Sequence, residues 1–165
     1  MVNFGSGHAN APGIYLTNNN DFYVARRDLV PSNQTGVRLA TDAMDALPGF
    51  SATYWDPTGC SDAAADVCVY DGGYTTPPYG GWYGWAECVG TISGSDPNRV
   101  CSLYRVDFNT RLTPPSYQRL ACHELAHTVG LLHSVQFSTC VHTYIDNATS
   151  NNLNTHDRNH IAAAY

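Results

Sequence analysis

The order of the predicted secondary-structure elements favours an α+β fold, with helices packed on one twisted mixed sheet. The order is a short strand, an amphipathic helix, several further strands and then two helices. The 165 residues show no internal repeat and no linker, so we expect one domain with its own core over residues 1–165. Hydrophobic residues make up 43% of the chain and charged residues only 13%, which excludes a disordered chain.

The N-terminal part of the chain predicts an arm, a strand and a helix. Residues 1–20 are rich in glycine, asparagine, alanine and threonine and predict an irregular arm, and residues 22–25 predict a short strand. Apolar residues then recur at the helical positions i, i+3, i+7 and i+10, namely Val37, Ala40, Met44 and Leu47. This spacing predicts an amphipathic helix, with Asn33 or Thr35 as its N-cap and Pro48 just beyond its end.

The middle of the chain predicts further strands. Runs of apolar, aromatic and β-branched residues predict strands over residues 51–55, 67–70 and 103–108. Residues 71–86 are dense in glycine, proline and aromatic residues. We therefore expect an ordered loop or an irregular edge there.

Two helices are predicted towards the C-terminus. The first covers residues 116–129, and Gly130 fits a left-handed C-terminal cap just past it. The second covers residues 156–164, with Asn154 or Thr155 as its N-cap.

Charge distribution and hydropathy argue against two classes of partner, nucleic acids and membranes. The formal net charge is −6, and all 8 basic residues are arginines that are scattered singly, except for the pair Arg26 and Arg27. No patch can neutralise a phosphate backbone, so we expect no nucleic-acid partner. No apolar run is long enough to cross a membrane, so we expect no membrane partner either.

The six cysteines predict three disulfides and an oxidising compartment. The simplest of the 15 pairings is the sequential one, which joins Cys60 to Cys68, Cys88 to Cys101 and Cys122 to Cys140. Metal ligation by thiolates is the alternative, although no CxxC pair is present. We expect a secreted protein in its mature form, because residues 1–7 have neither the charged nor the apolar region of a signal peptide.

One eleven-residue segment carries most of the chemistry. It reads HELAHTVGLLH over residues 123–133. On a helix, residues four apart share a face, so His123 and His127 can offer imidazole nitrogens to one metal ion. Gly130 allows a sharp turn after the helix, which can bring His133 back as a third ligand.

This pattern favours a single catalytic zinc ion over a structural one. Three nitrogen ligands leave one position for water, whereas structural zinc sites are closed by four protein ligands. Glu124 is rotated about 100° around the helix from His123 and can reach that water. The alternative is an ordinary amphipathic helix with satisfied histidines, but five fixed positions are far rarer by chance than a bare HExxH match.

The segment resembles the HExxHxxGxxH signature of the metzincin zinc endopeptidases. Residues 120–124 and 153–157 are also similar to segments of small secreted metzincins of actinobacteria. The resemblance implies three zinc ligands, namely His123, His127 and His133. It also implies that Glu124 acts as general base and acid while zinc-activated water hydrolyses peptide bonds in extended protein substrates.

The resemblance further implies a zincin-like fold. A helix backs the mixed sheet, and the edge strand of the sheet lies above an active-site cleft. An upper subdomain would cover about residues 21–130, and a small lower subdomain about residues 131–165 would end in the last helix. We expect the protein to be a monomer.

One feature departs from the family pattern. Metzincins have a methionine in a tight turn beneath the zinc, and this chain has no methionine after Met44. The turn is predicted at residues 138–142, with Val141 in the place of the methionine. Because Cys122 precedes the first ligand and Cys140 precedes Val141, a disulfide between them would tie the zinc helix to this turn.

A tyrosine approaches the zinc in some metzincins, from two positions after the turn methionine. Thr143 stands at that position here, and Tyr144 follows it. Tyr144 is therefore a candidate for stabilising the transition state. The alternative is a tyrosine of the core or of the pocket wall.

Three other features have both functional and structural interpretations. His156 and His160 could form a second metal pair or face solvent on a plain helix. The aromatic residues of 74–85 could form a rim that holds substrate, a carbohydrate-binding surface or a cover for the sheet. Acid-rich stretches at 62–71 and 146–157 could hold calcium, although no EF-hand is present.

The sequence thus predicts a secreted zinc endopeptidase. Two other functions remain open at this point: a zinc-binding module of the same fold without turnover, and a lectin-like module that uses the aromatic segment. The intact Glu124 argues against the first, and the metal motif would be unexplained by the second.

Overall fold

The computed structural model describes residues 15–18, 21–55, 60, 65–94, 99–145 and 150–165, and it has the α+β class that the sequence predicts. The strands are β1 Leu16–Thr17, β2 Asp21–Arg26, β3 Ser51–Trp55, β4 Val67–Gly72, β5 Gly84–Cys88, β6 Ile92–Ser93, β7 Val100–Cys101 and β8 Tyr104–Asn109. The α-helices are α1 Pro31–Asp45, α2 Tyr117–Thr128 and α3 Thr155–Ala164. No helix in these described ranges is long and apolar enough to cross a membrane.

The main sheet is mixed, as predicted. Its strand order is β3-β2-β4-β8-β5. The first four strands are parallel, and β5 pairs antiparallel with β8 at one edge. α1 packs against α2 and β3, while α2 packs against β5 and β8. The helix that carries the metal motif therefore lies next to the antiparallel edge strand.

A second, small sheet was not predicted. Its order is β1-β7-β6, with β1 parallel to β7 and β6 antiparallel to β7. The prediction of a single sheet is therefore wrong. The prediction of an irregular arm as far as residue 20 is wrong at Leu16–Thr17, which form β1. Two-residue strands are too short to show the alternation that marks a strand in a sequence. The rest of that arm, residues 1–14 and 19–20, lies outside the described residues.

α1 buries the predicted face but begins earlier than predicted. Val37, Ala40 and Met44 are buried as expected, whereas Leu47, although buried, lies beyond the last helical residue, Asp45. Pro31 is the first helical residue, and neither Asn33 nor Thr35 caps the helix. Proline suits the first helical position because its fixed φ is helical and its missing N–H would be unpaired there anyway.

An aspartate from the sheet takes over the role of the predicted N-cap. The Asp71 carboxylate accepts hydrogen bonds from the backbone N–H of Val30 at 2.7 Å and from Nδ2 of Asn33 at 3.0 Å. This acceptor is 38 residues away from Asn33 in the chain. Sequence patterns around a helix start report local caps only, so this one could not be read from the sequence.

The two large helices cross at a glycine. A Cβ on Gly36 of α1 would lie 2.5 Å from the backbone oxygen of Tyr117, the first residue of α2. Only glycine permits this approach. Between the helices and the sheet lie fully buried aliphatic side chains such as Val24, Val106 and Leu125, each contributing roughly 1.5–3 kcal/mol through burial.

The aromatic segment is more regular than predicted. Residues 71–86 contain the end of β4, a single 3₁₀ turn at Tyr79–Gly81 and the start of β5. Asn109 holds the turn, because its Nδ2 donates to the carbonyl oxygens of Tyr74 and Tyr79 at 3.3 and 3.2 Å. The first residue of β5, Gly84, is of a type that is depleted in strands. The composition of this segment therefore did not predict β5.

The three sequential cysteine pairs are the ones at disulfide distance. The Cα–Cα separations are 5.3 Å for Cys60–Cys68, 5.9 Å for Cys88–Cys101 and 5.9 Å for Cys122–Cys140. The three pairs are the ones that the sequence predicts, and no cysteine is left free to bind a metal as a thiolate. Such cross-links fit a protein of an oxidising compartment.

Candidate metal centre

Two histidines of the candidate site are positioned by α2. Ser116 caps this helix, its side chain accepting from the backbone N–H of Arg119 at 3.2 Å. Leu120, Ala121, Leu125 and Ala126 are buried and hold the helix against the core. His123 and His127, four residues apart, are buried on the face that lines a cavity.

The third histidine returns to the site through a glycine. Gly130 has φ +90°, in the left-handed region that favours glycine. Its backbone N–H donates to the carbonyl oxygen of His127 at 3.1 Å and so closes the helix. The chain then reverses, and His133 comes to lie beside the other two imidazoles.

The three imidazoles converge on one point. Nε2 of His123 lies 3.1 Å from Nε2 of His133 and 3.2 Å from Nε2 of His127. All three ligand atoms lie within 4.8 Å of one another. In the described part of the chain, this is the only group of three or more potential ligands that could hold a metal ion.

Backbone carbonyl groups orient two of the rings. Nδ1 of His123 lies 2.9 Å from the carbonyl oxygen of Cys140, and Nδ1 of His127 lies 2.7 Å from that of Leu131. A carbonyl oxygen only accepts, so Nδ1 carries the proton and Nε2 presents a lone pair. Facing lone pairs at these distances repel one another unless a cation lies between them. The residues present therefore fit a metal ion.

Burial keeps the histidines neutral. The pKa of His123 falls to about 4, and the pKa of His127 falls well below its usual range, in both cases mainly because burial penalises the charged ring. Burial, together with the charge of His142, also lowers the pKa of His133. Neutral imidazole is the form that binds metals.

Glu124 lies in the same cavity as the three histidines. Its carboxyl group is buried, and this burial raises its pKa to about 8. An isolated buried carboxylate is unfavourable unless a positive charge is nearby. A cation held by the three imidazoles would supply that charge.

The predicted turn lies directly beside the site. Residues 137–141 form turns, and Cys140 and Val141 within them are fully buried. The Cys140 carbonyl oxygen contacts His123, and the adjacent disulfide joins this turn to α2 at Cys122. The turn is further fixed by the Ser134 N–H, which donates to the Val141 carbonyl oxygen at 2.8 Å.

A buried aspartate that sequence reasoning did not assign to the site supports the turn from below. The Asp157 carboxylate accepts a hydrogen bond from Oγ1 of Thr139, and that hydroxyl oxygen accepts from the N–H of Val141 at 3.3 Å. Asp157 also completes the capping box of α3 with Asn154, as the predicted cap at Asn154 implies. The capping pattern was readable in the sequence, but the contact across 18 residues was not.

The cavity is about 500 Å³ and opens between two walls. Its upper wall is the segment from Gly81 to Ala86, which includes the start of β5, and its lower wall is Thr143, Tyr144 and Ile145. Its deepest part is formed by the histidines and Glu124. Among the described residues that line it, Glu124 is the only acidic one and none is an arginine.

The aromatic segment and Tyr144 both reach this cavity. Trp82, Tyr83 and Trp85 line its upper wall, and Trp82 is 47% exposed. Tyr144 lines the lower wall with 66% of its surface exposed, so its side chain belongs to the wall of the cavity rather than to the core.

None of the other described histidines or acidic residues joins the three-histidine group. His142 is buried and stacks on Phe137 with ring centroids 4.4 Å apart, and it does not line the cavity. His156 and His160 lie together on α3. Of the acid-rich stretches proposed for calcium, residues 61–64 and 146–149 lie outside the described residues, and the described acidic side chains form no three-ligand group.

Comparisons with known proteins add no relative. No protein-family model matches the chain, and no curated protein matches it.

Proposed function

We propose that this protein is a secreted zinc-dependent endopeptidase, as the resemblance to metzincins implies. The observation that carries the proposal is the convergence of three buried Nε2 atoms beside a buried glutamate in an open cleft. A structural zinc site would have a fourth protein ligand and no cleft. Three imidazoles and an open side are typical of a site that performs hydrolysis.

Zinc is the metal that best suits this donor set. Neutral imidazoles with room for a water molecule are its common catalytic ligands, whereas calcium and magnesium prefer oxygen donors. When bound, zinc supplies a Lewis acid and lowers the pKa of a coordinated water to about 7.

Glu124 handles the protons in this proposal. Its carboxylate accepts a proton from the attacking water, and the carboxylic acid then delivers it to the nitrogen of the departing amine. The water oxygen first forms the new C–O bond, and the peptide C–N bond breaks as the amine nitrogen receives the proton. No covalent bond between the protein and the substrate is needed. Burial keeps bulk water from competing for this proton.

The edge strand β5 supports an extended peptide as the substrate. β5 is the last strand on its side of the main sheet, and its start lines the cleft. Its outer backbone groups can pair with a peptide chain in the manner of an added strand. The described residues of the walls include aromatic side chains and no arginine, which favours apolar side chains of the substrate near the scissile bond.

A zinc-binding module without turnover is the second candidate. The buried Val141 favours it, because this residue stands where the family has methionine. Valine supplies a smaller and stiffer apolar surface. The experiment below separates the two functions.

The proposal is tested by hydrolysis of fluorescent casein. The purified parent is assayed as prepared, after removal of metal by a chelator and after addition of zinc. Glu124→Gln is assayed beside Glu87→Gln, which changes the only other glutamate of the chain, an exposed residue outside the cavity.

We expect activity that chelation removes and zinc restores. Glu124→Gln should lower the rate by about 10²–10⁴-fold while keeping its zinc, and Glu87→Gln should match the parent. Zinc-loaded parent that cleaves neither casein nor any member of a peptide library would favour the binding module. Full activity in Glu124→Gln would contradict the mechanism.

A further inference from the structure

A second pair of histidines lies on the last helix, apart from the cavity. His156 and His160 are four residues apart on α3. His156 is exposed and His160 is half-buried. Their Nε2 atoms are 3.1 Å apart, and their ring centroids are 4.4 Å apart.

This separation is the one that two ligands of the same metal ion require. With metal–nitrogen bonds of about 2.0–2.1 Å, two nitrogens lie about 2.9 Å apart at a right angle and about 3.4 Å apart at the tetrahedral angle. The observed 3.1 Å falls between these values. The pair His123 and His127, also four residues apart, has 3.2 Å.

The surroundings of the pair define the kind of metal. Within the described ranges, no third histidine, cysteine or carboxylate completes a three-ligand group with these two. Water must therefore fill the other coordination positions. Two imidazoles with several waters suit a late first-row divalent ion, with Cu²⁺ bound more tightly than Ni²⁺ or Zn²⁺, and they do not suit Ca²⁺ or Mg²⁺.

We propose that His156 and His160 form a second metal site, which binds one late first-row transition-metal ion at the surface of α3. The ion joins successive turns of the helix and therefore stabilises it. Asp157 lies between the two ligands in the sequence, and its side chain contacts Thr139 in the turn beside the metal centre. Metal binding on α3 therefore reinforces the helix that supports this turn.

Copper alone is the probe for this site. The full chain is first loaded with zinc, excess zinc is removed, and Cu²⁺ is titrated while calorimetry and electron paramagnetic resonance are recorded. Zinc content is measured in the same samples. The variants are His156→Asn and His160→Asn, with Asn159→Ala as the matched control on the same helix, and circular dichroism checks the fold of each.

We expect the parent and Asn159→Ala to bind one Cu²⁺ while retaining zinc, with a spectrum of two nitrogen ligands. Each histidine variant should bind Cu²⁺ at least about 10-fold more weakly, and Cu²⁺ should raise the melting temperature of the parent and the control only. If His160→Asn folds poorly, the copper affinity of His156→Asn, at an exposed position, tests the site without it.

Two outcomes would overturn the proposal. One is a zinc-loaded parent that takes up no copper, and the other is His156→Asn binding copper as tightly as the parent. Neither outcome bears on the peptidase proposal, because zinc retention and casein hydrolysis report on the buried triad separately.

Discussion

The two helical histidine pairs of this protein have the same spacing but different surroundings. The Nε2 atoms are 3.2 Å apart in the pair on α2 and 3.1 Å apart in the pair on α3. The pair on α2 is buried, its Nδ1 atoms face carbonyl oxygens, and His133 joins it as a third potential ligand. The pair on α3 lies at the surface with no third protein ligand among the described residues.

The comparison separates what helix geometry provides from what the fold provides. Helix geometry alone brings two imidazoles to ligand distance, because residues four apart share a face. Glu124, the proton-transfer residue of the proposal, lies on the same helix as the buried pair. The other features that would make the site catalytic come from elsewhere in the chain: the reversal at Gly130, the turn at Cys140 and the cleft beside β5.

The largest effect should follow loss of a ligand from the buried pair. In His127→Asn, two imidazoles remain and zinc affinity falls. We expect at most traces of bound zinc after dialysis and casein hydrolysis lower by at least about 10³-fold. Metal analysis and the casein assay check this, with Asn159→Ala as control. Zinc retained at one equivalent together with parental activity would show that His127 is not a ligand.

The second effect concerns the disulfide beside the buried pair. We expect Cys122→Ser with Cys140→Ser to lower the free energy of unfolding by about 2–4 kcal/mol and zinc affinity by about 10–100-fold. The reason is that the carbonyl group of residue 140 orients the ring of His123. Denaturant titration and competition with a zinc chelator measure the two quantities.

A matched pair of cysteines separates stability from positioning. Cys88→Ser with Cys101→Ser removes a disulfide of similar loop length, remote from the ligands in sequence. It should lower stability by about 2–4 kcal/mol as well, but leave zinc affinity within about twofold of the parent. Equal losses of zinc affinity in both double variants would mean that the disulfide near the site acts only through global stability.

The contrast between the pairs also explains which features were predictable from the sequence. The helix α2, the sequential disulfides and the three histidines depend on local spacing, which is present in the sequence itself. The cap of α1 by Asp71 and the support of the turn by Asp157 depend on contacts across 38 to 41 residues and across 18 residues respectively. Such contacts arise from tertiary packing and leave no periodic pattern.

The missed strands show the same limit. β1, β6 and β7 have two residues each, and β5 begins with a glycine in a segment of turn-like composition. Short strands are stabilised by their partners rather than by their own propensity. The strand structure of the upper wall therefore could not be predicted from the sequence, although the composition of residues 74–85 did predict an aromatic rim as one alternative.

A smaller effect should appear in the metal-free protein as a function of pH. Burial raises the pKa of Glu124 from 4.5 to about 8, so the folded state keeps a proton that the unfolded chain releases above about pH 4.5. Stability is therefore lost as the pH rises from 4.5 through 8. Glu124→Gln cannot titrate, so its gain in stability over the parent should grow across this range, to about 1–3 kcal/mol.

Denaturant titrations of metal-free samples at pH 4.5, 6 and 8 measure this gain. Glu87→Gln, at an exposed position, provides the baseline. Saturating zinc should remove or reverse the gain, because a bound cation favours the ionised carboxylate. A gain that stays constant with pH would show that the Glu124 carboxyl group is not isolated from charge or solvent.

The smallest effect is expected at the N-cap of the helix that carries the surface pair. Asn154→Ala removes the N-cap of α3 but leaves the contact between Asp157 and Thr139, and it should cost about 1 kcal/mol of stability.

Asp157→Asn keeps the side-chain shape but removes the charge that receives the Thr139 hydrogen bond. It should cost about 1–3 kcal/mol and weaken zinc binding several-fold, because Thr139 also contacts the N–H of Val141 beside the metal centre. Denaturant titration and zinc competition on both variants check this, and equal zinc affinities in the two would show that α3 stabilises the fold without positioning the turn.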